Sequence, residues 1–227
     1  MFDTDSGRVL ALALRAPHSA GSTPAAQLEA LPGTGVNGDR HADPLSPRQV
    51  LLASAAVYAG LDLPAHALGE NLLLDLDTSQ LLSGAVLQIG DAVRLRLMFQ
   101  CEACGYLDAH RAGVAARIGR RRGVLARVLA GGVVHPGDRI RDLGRPLAAW
   151  SDDWRERVAQ VLCAVPEGMV LTYARLARLA GVQSTYCRAF PRLLKSLGQA
   201  GKAVSGQAAA GLHTWDGGGL FGDEGAA

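Results

Sequence analysis

The chain has 227 residues, 48% hydrophobic and 19% charged, with a formal charge of +2. That is a soluble globular composition, long enough for one large domain or two modest ones with workable cores. No apolar run reaches the roughly 18 residues of a membrane span, and Asp3 and Asp5 precede the first apolar stretch, so no basic signal-peptide start is expected. Four cysteines, Cys101, Cys104, Cys163 and Cys187, are unevenly spaced and do not form a disulfide framework. The expected setting is a reducing cytoplasm with no membrane partner.

In chain order, Gly7 to Arg15 is an apolar run that suits an opening strand. Ala16 to Gly33 is loop, with a short helix at 25–31. A polar cluster follows, Gly35-Val36-Asn37-Gly38-Asp39-Arg40-His41. Ser46 and Pro47 supply a cap and a first helical position for a helix running to Tyr58. Strands are expected from Gly69, within 81–89, and from Asp91 to Met98. In the last of these Val93, Leu95 and Leu97 share one face, and Arg94 and Arg96 the other. Gly113 to Ile118 is helical. Gly123–Leu129 and the strand-like 138–143 flank a Gly131-Gly132 turn. The fold class is α+β, mainly β, with a barrel over residues 1–145. Gly144 to Trp150 is the boundary.

The period then becomes helical. Trp154, Val158, Val161 and Leu162 share a helix face. Thr172 caps a second helix, closed by Gly181. Ser184 caps a third that runs toward Leu197 and contains Pro191, where an internal proline costs on the order of 3 kcal/mol, so a later start or a kink is the alternative. A small helix-turn-helix or winged-helix domain is expected over 151–221.

The chemistry centres on Phe99-Gln100-Cys101-Glu102-Ala103-Cys104-Gly105, two thiols where a strand ends. A zinc site needs two further ligands, of which His110 offers one. A thioredoxin-like redox pair lacks its βαβ setting. A thiolate that binds a soft metal or carries sulfur is the third reading, and a buried inert cysteine the plainest. Arg40, Arg48, Arg94, Arg96 and Arg120 to Arg122 are candidate partners for an anion. Asp39 and His41, two residues apart, point the same way if the backbone is extended. Glu70 and Asn71 bind a ligand or pair a strand end.

The ordered set Gly38-Asp39-Arg40-His41, Arg48-Gln49-Val50-Leu51-Leu52, Gly69-Glu70-Asn71-Leu72, Leu87-Gln88-Ile89-Gly90-Asp91, Cys101, Gly123-Val124-Leu125-Ala126-Arg127-Val128-Leu129 and Gly137-Asp138 resembles the MOSC family, over about residues 7–143. That family's domain stands at the C-terminus of molybdenum-cofactor sulfurases. The resemblance implies a β-barrel like one seen in pyruvate kinase and a pocket for the molybdenum cofactor, molybdopterin. It further implies one cysteine, Cys101 with Cys104 as the alternative, as metal ligand or sulfur carrier. Many members have proline before this cysteine, where this chain has Gln100. On that basis Cys101, Asp39 and His41 are the catalytic candidates. Arg40, Arg48, Glu70, Asn71, Cys104 and Arg122 are the cofactor-binding ones. The implied partners are a small-molecule substrate and either an external electron donor or a cofactor-accepting enzyme.

Between Arg155 and Lys202 there are eight basic residues against two acidic ones, an electrostatic footprint for a phosphate backbone. Here Val165-Pro166-Glu167-Gly168 through Ala180-Gly181, with Arg188-Ala189, resembles the DNA-binding domain of O6-alkylguanine-DNA alkyltransferases. The resemblance implies a winged helix on duplex DNA, with Tyr173 at a phosphate and Arg188 filling the gap left by a flipped nucleotide; Arg175 is read from its charge as a further phosphate contact. The family's Pro-Cys-His-Arg acceptor has no counterpart, since Ala203-Val204-Ser205-Gly206 occupies that place, so no alkyl transfer is expected.

Overall fold

The structure, a computed structural model, describes residues 4–19 and 21–222. The chain divides into two compact units: residues 1–44 with 48–150, and residues 45–47 with 151–227.

The first unit is built on β1 (Thr4–Leu14), β2 (Thr23–Ala25), β3 (Leu28–Leu31), β4 (Gly35–Val36), β5 (Val50–Ser54), α1 (Ala55–Leu61), β6 (Leu72–Leu74), β7 (Val86–Ile89), β8 (Val93–Gln100), α2 (Val114–Ile118), β9 (Val124–Ala130), β10 (Gly132–Val134) and β11 (Arg139–Asp142). Seven strands close into a barrel in the order β11-β7-β8-β9-β5-β6-β1, and β1 pairs back onto β11 through Arg8 and Arg139. β2 hangs on β1 outside the ring, and β10, β3 and β4 form a separate small sheet. Closure leaves no free edge within the ring.

Alternation explains the core. Val93, Leu95 and Leu97 of β8 and Val124, Ala126 and Val128 of β9 point inward, against Val9, Leu52, Leu72, Leu87 and Ile140. Each fully buried leucine here contributes about 1.5–3 kcal/mol before the entropy of ordering it. A second cluster lies on Ala53, the neighbour of inward-facing Leu52, where Val57 and Leu61 of α1 pack with Leu68, Leu107, Val114 and Ile118.

Three local expectations are corrected. The stretch after Ser46-Pro47 is a strand, β5, before it is a helix. All five β5 residues are buried between parallel β6 and antiparallel β9, so it reads as one apolar run rather than an alternation. Residues 25–31 carry the end of β2 and β3, not a helix. Arg96 does not face solvent with the exposed Arg94. It is buried, and its Nη2 donates to the Ala148 carbonyl at 2.9 Å.

The second unit holds α3 (Trp154–Ala164), β12 (Leu171–Thr172), α4 (Tyr173–Ala180), α5 (Phe190–Ser196) and β13 (Ala203–Val204). Asp153 caps α3 by accepting from Arg155 N, and Thr172 caps α4 by accepting from Arg175 N. Gly181, at φ +65°, closes α4 in the left-handed conformation glycine adopts without penalty. Arg157 is fully buried. Its guanidinium donates to the carbonyls of Ala180, Ser151 and Asp152, which ties the end of α4 to the start of α3. The third helix does not run from Ser184. A 3-10 turn covers Ser184–Ala189, and α5 begins after it, with Pro191 in the first turn where no N–H is missed. β12 and β13 pair in parallel over two residues. No described helix is long and apolar enough to cross a membrane.

Candidate functional site

β8 ends at Gln100, and the next residue, Cys101, is held by its N–H to the Gly123 carbonyl at 2.8 Å. Cys101 is 5% exposed and lines a cavity of about 230 Å³ in the barrel unit. Arg48, just ahead of β5, donates from Nη2 to the Cys101 sulfur at 3.9 Å. Arg40, His41 and Arg122 share the lining, as do Cys104 and Tyr106 from the segment after β8. The wall is strongly cationic around one buried sulfur.

Arg122 ends the 3-10 turn Gly119–Arg122 and is 6% exposed. Its Nη1 donates to the Leu68 carbonyl, while its shielded Nε has no hydrogen-bond partner among the described residues. Ser22 Oγ, in the same lining, is also shielded and without a partner among them. Arg40 Nε donates to His41 Nε2 at 3.3 Å, which leaves the His41 proton on Nδ1. Burial, followed by the charges of Arg15, Arg40 and Arg48, lowers the His41 pKa to about 4, against the pull of Asp39. At neutral pH this ring is uncharged.

Behind this wall lies a buried polar cluster. Asp39 accepts from Arg15 N at 3.1 Å, Arg15 Nε at 3.3 Å, Asn71 Nδ2 at 2.7 Å and His41 N at 2.8 Å. Asn71 Oδ1 in turn accepts from Arg15 Nη2 and Leu51 N. Burial raises the Asp39 pKa, but Arg15 and these N–H donors outweigh it, and the net shift is downward. Glu70 accepts from the Tyr58 hydroxyl at 2.6 Å and faces His66 Nδ1 at 3.2 Å. Burial, then the Glu70 carboxylate, drives the Tyr58 pKa upward.

Of the sequence-based candidates, Cys101, Cys104, Arg40, His41, Arg48 and Arg122 meet at the cavity. Asp39, Glu70 and Asn71 lie outside its lining, in the hydrogen bonds just described. Asp39 and His41 do not point the same way, because residues 37–41 form turns rather than extended backbone. Arg94, Arg96, Arg120 and Arg121 are not in the lining either. Arg15 and Ser22 were missed. A charged residue ending the apolar run Gly7–Leu14 was the available signal for Arg15, and Ser22 had none. His110 stacks edge-on against Tyr106 at 4.9 Å. No group of three or more His, Cys, Asp or Glu side chains converges among the described residues.

In the second unit Tyr173 packs edge-on against Phe190 at 5.9 Å, and Arg175 Nη1 donates to the Trp215 carbonyl at 3.0 Å. Lys202 Nζ donates to Leu162 O. Together with buried Arg157, these cations serve the unit's interior. Arg178, Arg188, Arg192 and Lys195 remain exposed.

The comparison with curated proteins returned no match. Three solved structures share the fold. The YUAD protein from Bacillus subtilis is 18% identical, with a TM-score of 0.51 over 60% of this chain and 94% of its own. YiiM from Geobacillus stearothermophilus is 16% identical, with a TM-score of 0.51 over 83% of this chain and 99% of its own. A hypothetical protein is 19% identical, with a TM-score of 0.53 over 82% and 90%. Residues 43–141, which include Cys101 and β5 through nearly all of β11, match the MOSC domain.

Proposed function

We propose that the barrel cavity binds the molybdenum cofactor, with Cys101 as its thiolate ligand or as a sulfur carrier. The observation that carries this reading is the buried Cys101 sulfur on a cavity wall shared with Arg40, Arg48 and Arg122. The donor set fits such a group. A thiolate suits a soft metal, guanidinium forks suit a phosphate, and the bare Arg122 Nε and Ser22 Oγ call for acceptors. Once bound, the cofactor supplies oxygen-atom or sulfur transfer, including reduction of N-hydroxylated small molecules. Arg48 fixes the sulfur, and Arg122, anchored on the Leu68 carbonyl, offers its Nε to an anionic oxygen. Neutral His41 offers an N–H rather than a charge. Electrons come from an external donor protein, since the sequence has no flavin or iron–sulfur motif. In the carrier form an accepting enzyme takes their place. The free thiols at all four cysteines suit a reducing cytoplasm.

Molybdenum and pterin content of protein from a molybdenum-replete host tests this. Cys101→Ser should lose both, and Cys104→Ser should keep them. Equal content in the Cys101→Ser protein overturns the reading, while loss only in Cys104→Ser moves the ligand three residues along.

A second reading concerns the exposed Arg178, Arg188, Arg192 and Lys195, which present cations from α4 to α5. This unit binds duplex DNA weakly, without alkyl transfer. Cys187 is no substitute acceptor, because burial raises its thiol pKa and its sulfur lies 3.6 Å from the Tyr173 carbonyl. Each phosphate contact adds about 0.9 to the slope of log affinity against log salt, so a salt titration of the full chain shows a slope of about 3. Arg188→Ala should weaken binding to a mismatched duplex more than to an intact one. Absence of binding at low salt removes this reading.

A further inference from the structure

A second cavity, of about 400 Å³, opens at the other end of β8 from Cys101. Gly90, Asp91 and Ala92, the turn that leads into β8, line it. So do His135, Gly137 and Asp138, from the turn that leads into β11. β8 is eight residues long, so about 25 Å of strand separates this turn from the cysteine. The two cavities share no lining residue.

Arg8 of β1 and Arg139 of β11 stand directly opposite each other where these strands close the barrel. Their neighbours Val9 and Ile140 are buried in the core, so both arginines face outward. Arg141, two residues along β11, shares that face and, like the other two, lines the cavity. Opposed side chains start about 4.5–5.5 Å apart, and like charges so placed weaken a strand pair. Arg8 Nη1 donates to the Gly137 carbonyl at 3.3 Å, which holds its guanidinium at the cavity wall. Two carboxylates share the lining. Asp138 Oδ2 accepts from His135 N at 2.8 Å and so serves the turn, while Asp91 is exposed. Three arginines therefore outnumber two carboxylates, and Val133, 46% exposed, adds an apolar wall beside Ala92. The volume lies within the roughly 300–1,000 Å³ of small-molecule sites. Guanidinium forks match phosphate oxygens, and a shared anion removes the repulsion between opposed arginines.

We propose that this cavity binds a phosphate monoester of a short organic alcohol. Arg8 and Arg139 grip the phosphate oxygens, and Arg141 offsets the second negative charge. The carbon part lies on Val133 and Ala92. This inference does not rest on the cofactor reading above.

The test is a calorimetric titration of the full chain with glycerol 3-phosphate at low salt. Expected is saturable binding that weakens as salt rises, because the arginines are open to solvent. Inorganic phosphate competes, and glycerol does not. Arg8→Gln and Arg139→Gln should each raise the dissociation constant about tenfold. Neither should lower the ligand-free melting temperature, since one of two opposed like charges is gone. Arg139→Lys keeps the charge but loses the fork, and should weaken binding about threefold. Arg117→Gln, on α2 and outside the lining, controls for general surface charge and should bind normally. If one of the two glutamine variants does not fold, the other carries the comparison. No saturable binding by the unaltered protein overturns the proposal, as does unchanged affinity in a folded glutamine variant. An equal loss in Arg117→Gln does the same. Loss in Arg48→Gln alone places the phosphate in the cysteine cavity and also overturns it. So does sedimentation with phosphatidic acid vesicles without binding of the soluble ester, which makes this face a membrane contact. Molybdenum measured on the same preparations reports on the cofactor reading separately.

Discussion

Asp39→Ala lowers the urea midpoint of the barrel unit at pH 7, by about 3–5 kcal/mol of stability. The Asp39 carboxylate is fully shielded and pairs with Arg15 at 3.3 Å. Its removal leaves a buried guanidinium uncompensated and strips acceptors from Asn71, His41 N and Arg15 N. A loss under 1 kcal/mol would mean that solvent reaches the cluster and replaces the carboxylate. The same neighbourhood sets the response to acid. Because the folded Asp39 pKa is depressed, its stabilisation is fully present above the ordinary carboxylate value of about 3.9 and is lost as pH falls through the folded one. His41 acts earlier. Its folded pKa is about 4, below the ordinary 6.5, so the unfolded chain takes up that proton first and stability falls as pH drops from 6.5 toward 4. The urea midpoint should therefore be lower at pH 5 than at pH 7, and His41→Gln should remove most of that difference. Identical midpoints for the unaltered protein at the two pH values would show that the ring titrates normally.

Gly123→Ala should be comparably severe, at about 3 kcal/mol or more. Gly123 has φ +114° and ψ 172°, a conformation that side-chain-bearing residues rarely adopt. A Cβ there collides with the Leu52 carbonyl oxygen of β5 and approaches Leu51 Cδ1 at 3.2 Å. The Leu52 carbonyl cannot yield without moving strands β5 and β9 apart. The same residue's carbonyl accepts the Cys101 N–H, so the substitution also loosens the sulfur at the cavity wall. Sulfur or metal loading should fall along with the melting temperature. A variant with unchanged melting behaviour would mean that the start of β9 shifts freely.

How much of this could be read in advance depended on whether the signal was local. β8 and β9 were legible because each presents alternate residues to one core, a period carried in the residues themselves. α4 was legible to the residue, since Thr172 and Gly181 are chemical start and stop marks. β5 was not, because a strand buried on both faces loses the alternation that distinguishes it from a helix. The burial of Arg96 was not legible for a different reason. Its face of β8 is covered by chain beyond β11, and sequence spacing holds no record of what covers a face.

The site divides along the same line. Chain order alone brought out the two thiols after β8, the arginines and the Gly38–His41 cluster, because thiol, guanidinium and imidazole chemistry belongs to the residue wherever it lies. Which of these share a cavity was decided by barrel closure, which brings residues 15, 22, 40, 48, 101 and 122 to one lining from widely separated parts of the chain. The turns at residues 37–41 sent the Asp39 carboxylate into a buried cluster and the His41 ring to the cavity wall. Closure left Arg122 Nε and Ser22 Oγ without hydrogen-bond partners among the described residues, a property no sequence displays, since whether a donor is satisfied depends on every group around it. Residue types determined what chemistry was available, and the pairing of distant strands decided which of it could act together.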